Sequence, residues 1–219
     1  MIKVSDVVRE ITLSSEIALS ALSDGYLNLS AYAKLIKPEV ERRARKPVSV
    51  GSIVVALSRL AGSLKAQEPL LPEVQLENLS VKSGLVEITF DKTRENRDRI
   101  EQLFQDKSFA AADFFTLTHG IGELSIVVPE GLKNSVLALY KDQKPKLILG
   151  NLASLTVRFD ERYLWIPNVI YALLRPLALN RVDVIEIVST FTELTFLLNQ
   201  RDLNSAFVTI NQVFQGKVD

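Results

Sequence analysis

Apolar residues at helical spacing run through the first third of the chain. Val4, Val7, Val8 and Ile11 recur at intervals of three and four residues, which is the stripe of an amphipathic helix. Similar stripes continue to about residue 64, in short stretches separated by polar and turn-forming residues. The pattern predicts a bundle of four or five short helices over residues 1–66.

Single residues predict where these helices begin and end. Gly25 favours a helix end, because glycine adopts left-handed φ without strain. Asn28 or Ser30 is expected to cap a third helix, and Ser49 a last one, through side-chain oxygens that accept backbone N–H groups. Pro38 lacks a backbone N–H, so a separate helical segment is predicted to open there.

Beyond residue 76 the spacing of apolar residues changes to two, which is typical of strands. Val86, Ile88 and Phe90 alternate with Glu87 and Thr89, as in a half-buried strand. The predicted elements that follow are a helix near 100–104, strands at 114–118 and 123–128, a helix at 131–140 and a strand at 146–149. The same order then returns as a strand at 155–159, a helix from 167 that ends at Pro176, strands at 182–188 and 193–198, and a helix at 203–214.

This order indicates an internal repeat. Glu123-Leu124 matches Glu193-Leu194, and Asn134-Ser135 matches Asn204-Ser205, both at a separation of 70 residues. A repeated βαββα order implies two copies of one supersecondary unit. The sequence therefore predicts an α+β fold, in which an N-terminal helical bundle is followed by two ferredoxin-like βαββαβ units.

The predicted boundaries are 1–66 for the bundle, 67–78 for a linker, 79–149 for the first unit and 150–219 for the second. The last helix of the second copy ends near residue 214, which leaves only five residues for a final strand. Residues 74–77 lie before the first copy in the place that 146–149 hold before the second. We expect 74–77 to supply the missing strand of the second copy, so that the two copies interlock.

The composition excludes several classes of function. With no cysteine and one histidine among 219 residues, disulfides, thiolate metal sites and most histidine-based zinc sites are excluded, and no metal or cofactor is expected. No apolar run reaches the roughly 20 residues that span a bilayer, so no membrane partner is expected. Charged residues near the first methionine argue against a signal peptide and favour a cytoplasmic location.

Residues 182–214, VDVIEIVSTFTELTFLLNQRDLNSAFVTINQVF, resemble the second ACT repeat of aspartate kinases. The shared features are a strand, a short turn with Glu193, a second strand, Asp202 ahead of a helix, and a terminal aromatic residue. ACT domains bind amino acids in many regulated biosynthetic enzymes, and their sheets commonly pair side by side. The resemblance implies a regulatory, non-catalytic protein that binds an amino acid, forms a homodimer through its ACT-like sheets, or does both.

The resemblance also indicates where a ligand is expected. In ACT domains that bind amino acids, the turn after the first strand is usually rich in glycine, whereas the turns DKTREN and DERYLWIP of this chain contain none. Asp91 and Asn96 in the first turn, and Asp160 and Asn168 at the second, are the candidate ligand contacts. The alternative interpretation is that these residues only satisfy local backbone groups, as Asp and Asn do in many turns.

Three further residues allow two interpretations each. Tyr163 and Trp165 can stack on a ligand or belong to a core or dimer contact. His119 lies near Glu123 and can form an acid–base pair or a structural turn. Without a nucleophile motif, a second histidine or a nucleotide-binding glycine loop, no catalytic activity is predicted.

Basic residues in the N-terminal region suggest a further function. Arg42, Arg43, Arg45 and Lys46 precede a predicted helix that carries Arg59, an arrangement similar to a helix-turn-helix. Residues 1–67 contain ten basic and six acidic side chains, a modest excess for DNA binding. A solvated helix end is the alternative interpretation.

Two alternative functions therefore stay open, a ligand-responsive transcription regulator and an aspartate-kinase-related regulatory subunit that acts with a separate catalytic chain.

Overall fold

The computed structural model describes residues 3–64 and 71–215. The chain divides into two units, Met1–Leu70 and Leu71–Asp219, which we call the N-terminal and C-terminal units. Part of the predicted linker, residues 67–70, lies outside the described residues. The helical part and the mixed part of the sequence fold around separate apolar cores.

The described N-terminal unit consists of helices. These are α1 (Val4–Leu13), α2 (Glu16–Ser23), α3 (Leu29–Ala44) and α4 (Val50–Leu64). As predicted, Asn28 Oδ1 accepts a hydrogen bond from the Ala31 N–H at 3.0 Å, and Ser49 Oγ accepts one from Ser52 N–H at 3.2 Å. Gly25 follows α2 with a φ of 81°, which also agrees with the prediction.

The prediction that Pro38 opens a separate segment was wrong, because Pro38 lies inside the continuous helix α3. The helix tolerates it for two reasons. Pro38 is exposed, so the carbonyl that loses its N–H partner faces water. Ile36 and Val40 on either side of it are buried in the core, and this packing stabilises the helix across the proline.

The C-terminal unit combines helices with one antiparallel sheet. Its elements are β1 (Leu76–Asp91), α5 (Arg94–Asp98), α6 (Ile100–Gln105), α7 (Lys107–Ala110), β2 (Thr116–His119), β3 (Glu123–Pro129), α8 (Lys133–Leu139), β4 (Leu147–Phe159), α9 (Val169–Leu179), β5 (Val184–Ser189), β6 (Glu193–Asn199) and α10 (Leu203–Gln215). The six strands are ordered β2-β3-β1-β4-β6-β5, and every pairing is antiparallel. The predicted α+β class, with N-terminal helices, is confirmed.

Two of the strands are longer than predicted. The segments expected as separate strands at 74–77 and 86–90 join into β1, and those at 146–149 and 155–159 join into β4. Gly84, with a φ of 71°, lies between the two halves of β1 at a shift in the register with β4, a conformation that its lack of a side chain permits. Leu76 pairs with Phe159, so β1 reaches the strand that opens the second sequence copy.

Apolar cores cover both faces of the sheet. On one face, strand residues such as Ile88 and Leu155 lie under the helices in two separate clusters. The other face carries Leu85, Val127 and a few further apolar residues that form a third cluster. The sheet curls so that its two edge strands approach each other. Thr118 on edge strand β2 donates a hydrogen bond of 3.1 Å to Glu186 on the opposite edge strand β5.

Helix α9 also continues further than expected. It was predicted to end at Pro176, but it runs to Leu179. Leu177 is fully buried, and Asn180 Nδ2 donates a hydrogen bond of 2.9 Å to the Pro176 carbonyl, so the last turn is held on both sides. Within residues 3–64 and 71–215, no helix combines the length and apolar character needed to cross a bilayer.

Candidate functional site

The strongest candidate site lies where β4 ends, in residues 158–171 together with 189–194, which we call the second turn region. Asp160 caps a short 3-10 turn by accepting a hydrogen bond from the Arg162 N–H at 2.8 Å. Tyr163 follows and is almost fully buried, and its hydroxyl accepts the Gln75 N–H at 2.9 Å. The turn is therefore anchored to the sheet at both ends.

A cavity of about 520 Å³ opens in this second turn region. Its apolar lining comes from Phe159, Leu164, Val169, Ile170, Leu174 and Phe191. Its polar lining comes from Asn168, Tyr171, Ser189, Thr190 and Glu193. Among the described residues that line the cavity, Glu193 is the only acid and none is lysine, arginine or histidine.

Exposed apolar side chains occur in the same turn region as the cavity. Trp165 is 88% exposed, Phe191 65% and Ile170 52%. Single exposed apolar residues are common on protein surfaces, but these three occur in one turn region beside a cavity. The grouping is typical of a surface that is covered when a ligand or a partner binds.

Residues 91–96 together with 119–123, which we call the first turn region, have the same backbone geometry. The Gly120 N–H donates to the Glu123 carbonyl at 2.9 Å, and the Thr190 N–H donates to the Glu193 carbonyl at 3.0 Å. Both turns therefore close the hairpin in the same way, seventy residues apart. The repeat that Glu123 and Glu193 indicated in the sequence is present in these hydrogen bonds.

A second pair of hydrogen bonds aligns the strand ends of the two turn regions. The Lys92 N–H donates to the Gly122 carbonyl at 3.0 Å, and the Phe159 N–H donates to the Thr192 carbonyl at 3.0 Å. Lys92 and Phe159 therefore occupy equivalent positions. It follows from the same spacing that Thr93 corresponds to Asp160, and each is a cap whose side chain accepts a backbone N–H.

The first turn region is closed by its own side chains. Lys92 Nζ donates to the Gly120 carbonyl at 2.7 Å. Lys146 Nζ lies 2.6 Å from a Glu123 carboxylate oxygen and 3.4 Å from an Asp91 one. The Glu123 hydrogen bond, followed by that of Asp91, raises the pKa of Lys146. The ammonium groups of Lys92 and Lys146 therefore lie at the first turn, whereas a cavity opens at the second turn.

Asn96 completes the closed arrangement. It is almost fully buried, and its Nδ2 donates to the Asp91 carbonyl at 2.8 Å. The Tyr140 hydroxyl donates to the Asn96 carbonyl at 3.2 Å, and burial raises the pKa of Tyr140 to about 12. Asn96 Oδ1 is buried without a hydrogen-bond partner among the described residues. The side chain therefore serves the interior of the first turn region.

The four predicted ligand contacts fall into two pairs, one in each turn region. Asp91 and Asn96 lie in the closed first region, and Asp160 and Asn168 lie in the open second one. Of the four, Asn168 lines the cavity, where it precedes α9 with a φ of 68°. Asp160 is a cap beside the cavity. Their assignment to ligand binding stays a prediction.

Other cavity residues were missed in the sequence. Phe159 was assigned only to a strand, and Thr190 and Phe191, between the strands predicted at 182–188 and 193–198, were assigned no role. The signal that could have found them is Phe191 itself, because an apolar ring at the tip of a hairpin is unusual in a purely structural turn. At the equivalent position the first copy has Ile121 between two glycines. Of the two aromatics predicted to stack or pack, Tyr163 is buried and Trp165 is exposed.

The basic residues of the N-terminal unit divide into two groups. Arg42 forms two hydrogen bonds to Glu39, at 2.7 and 2.6 Å, and Arg43 also bonds Glu39. The bonds from Arg42 and then Arg43 lower the pKa of Glu39 to about 2. Arg45, Lys46 and Arg59 are exposed, and we find no ion pair for any of them within the described part of the chain.

No metal-binding group is formed by the described residues. His119 ends β2 and is exposed, with Leu124 opposite it in the sheet. Within residues 3–64 and 71–215, no group of three or more His, Asp or Glu residues is placed to bind a metal ion. Among the sites described above, the second turn region has a cavity of a size suited to a small molecule.

Comparison by sequence finds no relative: no family model matches the chain, and no curated protein matches it. Comparison by structure does find similar folds, and the three described next have 9–14% sequence identity to this chain.

Three of the similar structures belong to aspartate kinases. The aspartate kinase of Clostridium acetobutylicum has a TM-score of 0.54 and 14% identity, over 67% of this chain and 37% of that one. The regulatory subunit from Thermus thermophilus has a TM-score of 0.53 and 10% identity, over 65% of this chain and 99% of that one. The Thermus flavus regulatory subunit has a TM-score of 0.52 and 9% identity, over 64% and 99%.

The matched share of this chain is close to that of the C-terminal unit, Leu71–Asp219. The chain spans little more than a third of the length of the Clostridium enzyme, and nearly all of the Thermus regulatory subunits. The predicted resemblance to the aspartate kinase regulatory region is confirmed as a resemblance of fold.

Proposed function

We propose that this chain is a non-catalytic regulatory protein of the ACT type that senses a small molecule, an amino acid, in the second turn region. The carrying observation is the cavity of about 520 Å³ at the end of β4. Its volume lies within the roughly 300–1,000 Å³ of small-molecule pockets, and its lining of apolar groups with a few polar ones is typical of them.

The fold supports two ferredoxin-like units within the sheet. One unit would comprise residues 85–91, β2, β3 and residues 147–149, and the other residues 152–159, β5, β6 and residues 76–83. Strand pairing supports the interlocked arrangement, because Ser80 pairs with Thr156 in the second unit and Leu147 pairs with Thr89 in the first. In this arrangement each unit would use a strand that the chain places next to the other unit, a role that the sequence analysis expected of residues 74–77 for the second unit.

A thermal-shift panel of the twenty amino acids tests the sensing proposal. A ligand at about one hundred times its Kd stabilises the folded state by about 2.7 kcal/mol. For a chain of this size, that corresponds to a rise of roughly 5–10 °C in the melting temperature. A panel in which no amino acid raises the melting temperature would contradict the proposal.

Matched variants locate the site. Phe191→Ala removes a ring that lines the cavity, whereas Ile121→Ala changes the equivalent tip of the first turn region, which is fully exposed. We expect Phe191→Ala to reduce the ligand-induced shift and Ile121→Ala to leave it unchanged. Equal losses in both variants would place the ligand elsewhere.

A homodimer through the ACT-like sheets is the second part of the proposal. Strand β5 is an edge strand, and its residue Ile187 is 41% exposed. Edge strands with exposed apolar residues are stabilised by pairing or covering. Ile187→Lys is expected to halve the mass measured by light scattering, whereas Phe104→Lys, an exposed helix residue, keeps it. A wild-type chain of monomer mass at high concentration would contradict the dimer.

Binding of DNA by the N-terminal unit is the second candidate function. It is favoured by Arg45, Lys46 and Arg59, which are exposed and free of acidic partners in the described residues. Arg45 and Lys46 lie in the connection between α3 and α4, and Arg59 lies on α4, the order of a helix-turn-helix. In this case the protein would be a ligand-responsive transcription regulator.

Retention on a nonspecific duplex tests the DNA candidate. Binding is expected at low salt and should weaken steeply as salt rises, with a slope that falls by about one for each phosphate contact removed. Arg59→Ala should lower the slope, whereas Arg42→Ala, whose guanidinium is already bound to Glu39, should not. No retention at low salt would eliminate the candidate.

A role as regulatory subunit beside a separate catalytic chain is the remaining alternative. It is favoured by the nearly complete coverage of the Thermus thermophilus regulatory subunit of aspartate kinase. Stable co-purification with a kinase chain is the expected result, and amino-acid binding by the isolated protein without any such partner would favour the sensor instead.

A further inference from the structure

The first turn region contains a built-in ammonium group at its hairpin turn. The Lys92 backbone N–H bonds the Gly122 carbonyl, and the Lys92 side chain returns over the same turn, where Nζ donates to the Gly120 carbonyl at 2.7 Å. The aliphatic stem of a lysine contacts apolar surface while its ammonium group binds polar atoms. The chain therefore shows which chemical group this turn accepts.

The second turn region has the same turn without the lysine. Phe159 occupies the position of Lys92, as its hydrogen bond to the Thr192 carbonyl shows. Thr190 occupies the position of Gly120 and lines the cavity together with Phe159. A carbonyl that binds an ammonium group in the first region thus has its counterpart beside an open cavity in the second.

We propose that the cavity binds a primary amine with an apolar body, and that its ammonium group donates to the Thr190 carbonyl as Lys92 donates to Gly120. The apolar body lies against Phe159, Ile170 and Phe191. Because Lys92 already closes the first region, each chain binds one such ligand. This inference rests on the part of the proposed function that places a small molecule in this cavity, and it specifies the class of that molecule.

The charge of the lining agrees with this ligand class. Glu193 contributes a negative charge, and no lysine, arginine or histidine is found among the described lining residues to balance an anion. An anionic ligand would lose its hydration without gaining an opposite charge. A cationic ligand would instead lie near the Thr190 carbonyl and the Glu193 carboxylate. The cavity therefore distinguishes amines from acids of the same shape.

Titration calorimetry with three ligands of one shape tests the charge preference. The probes are phenethylamine, 3-phenylpropanoate and 2-phenylethanol, which share a ring and differ in their terminal group. We expect the amine to bind with a stoichiometry of one per chain and at least about tenfold more tightly than the acid, a difference of about 1.4 kcal/mol. Equal affinity for the amine and the acid would overturn the inference.

A pair of nearly isosteric variants tests the turn itself. Phe159→Lys places an ammonium group where Lys92 has it in the first region, and Phe159→Met places an uncharged side chain of similar length there. We expect Phe159→Lys to abolish amine binding and Phe159→Met to keep it within about tenfold. Circular dichroism and melting temperature verify that both variants fold. If both keep binding, or if folded Phe159→Met loses it as completely as Phe159→Lys, the inference is wrong.

The outcomes separate this inference from the sensing proposal. If amino acids shift the melting temperature but phenethylamine and 3-phenylpropanoate bind equally, sensing stands and the amine preference fails. If phenethylamine binds and no amino acid does, the amine site stands and amino-acid sensing fails. If none of the amino acids or probes binds, both are wrong.

Discussion

The first and second turn regions place the same backbone hydrogen bonds around different side chains. In the first, Lys92 and Lys146 bind the turn and its neighbouring carboxylates, and Asn96 fills the interior. In the second, Phe159 lies where Lys92 does, and a cavity of about 520 Å³ opens. Two turns with the same backbone hydrogen bonds therefore differ in their side chains, and a cavity opens beside the second.

The comparison also shows what a shared fold can and cannot tell. Aspartate kinase regulatory subunits share this fold at 9–10% identity. Within the chain, the two turn regions share backbone hydrogen bonds, yet lysine side chains bind the first turn and a cavity opens at the second. A binding site has to be argued from the side chains of each copy, because the backbone alone would assign the same role to both.

The largest expected effect concerns the interior of the closed region. Asn96→Ala removes the hydrogen bond that Nδ2 donates to the Asp91 carbonyl and leaves a void at an almost fully buried position, which together cost about 2 kcal/mol. The corresponding loss in melting temperature is roughly 4–8 °C.

The matched change in the open region is Tyr163→Phe. It removes the hydroxyl that accepts the Gln75 N–H and should cost about 1 kcal/mol. Urea unfolding of both variants measures the difference. A larger loss for Tyr163→Phe than for Asn96→Ala would show that the second region depends more on its buried polar group.

A smaller effect is expected from Glu186, whose counterpart in the first hairpin is Thr116. Burial, and then the charge of Glu87, raises the pKa of Glu186 above its ordinary value of 4.5. A raised pKa in the folded state means that this group stabilises the fold at low pH. That contribution is lost as the pH rises through the folded-state pKa.

Glu186→Gln tests this pH dependence, because the amide still accepts the Thr118 hydrogen bond but cannot ionise. We expect the variant to be more stable than the wild type at pH 7–8 and to lose that advantage near pH 4. The control Glu101→Gln removes the same charge at an exposed position and should leave the pH profile unchanged. Parallel pH profiles for wild type and Glu186→Gln would count against the buried-carboxylate explanation.

The smallest effect is expected from the ion pairs on the surface of the first turn region. Lys146→Met removes the pairs with Glu123 and Asp91, which are exposed and screened by salt. Stability at low salt should fall slightly, and at 1 M salt the variant and the wild type should be indistinguishable by urea unfolding. A loss that persists at high salt would mean that the aliphatic stem of Lys146 contributes more than its charge.

The sequence predicted the parts of the fold that depend on local patterns. The alternation at Val86, Ile88 and Phe90 located a strand, and the seventy-residue spacing of Glu123 and Glu193 marked equivalent hairpin turns. The continuity of β1 through Gly84 could not be predicted, because glycine usually interrupts a strand pattern. What joins the two halves is pairing with β4, a contact between distant parts of the chain.

The candidate site was predicted only in its location. The resemblance indicated the turns after the first strands, and Asn168 does line the cavity. Phe159, Thr190 and Phe191 come from three positions along the chain, and no local pattern marks them as neighbours. Their role depends on the register of β4 with β6, which places Arg158 opposite Glu193 and thereby brings the end of β4 to the hairpin turn.

The antiparallel pairing of β1 with β4 has a mechanical consequence. These two strands hydrogen-bond from Leu76 opposite Phe159 to Thr89 opposite Leu147, along nearly the whole of both. A force that pulls β1 against β4 along their length must shear these bonds together, whereas β2 and β5 at the margins can be peeled away one bond at a time. Under tension the sheet should therefore yield from its margins and retain its central pair to the end.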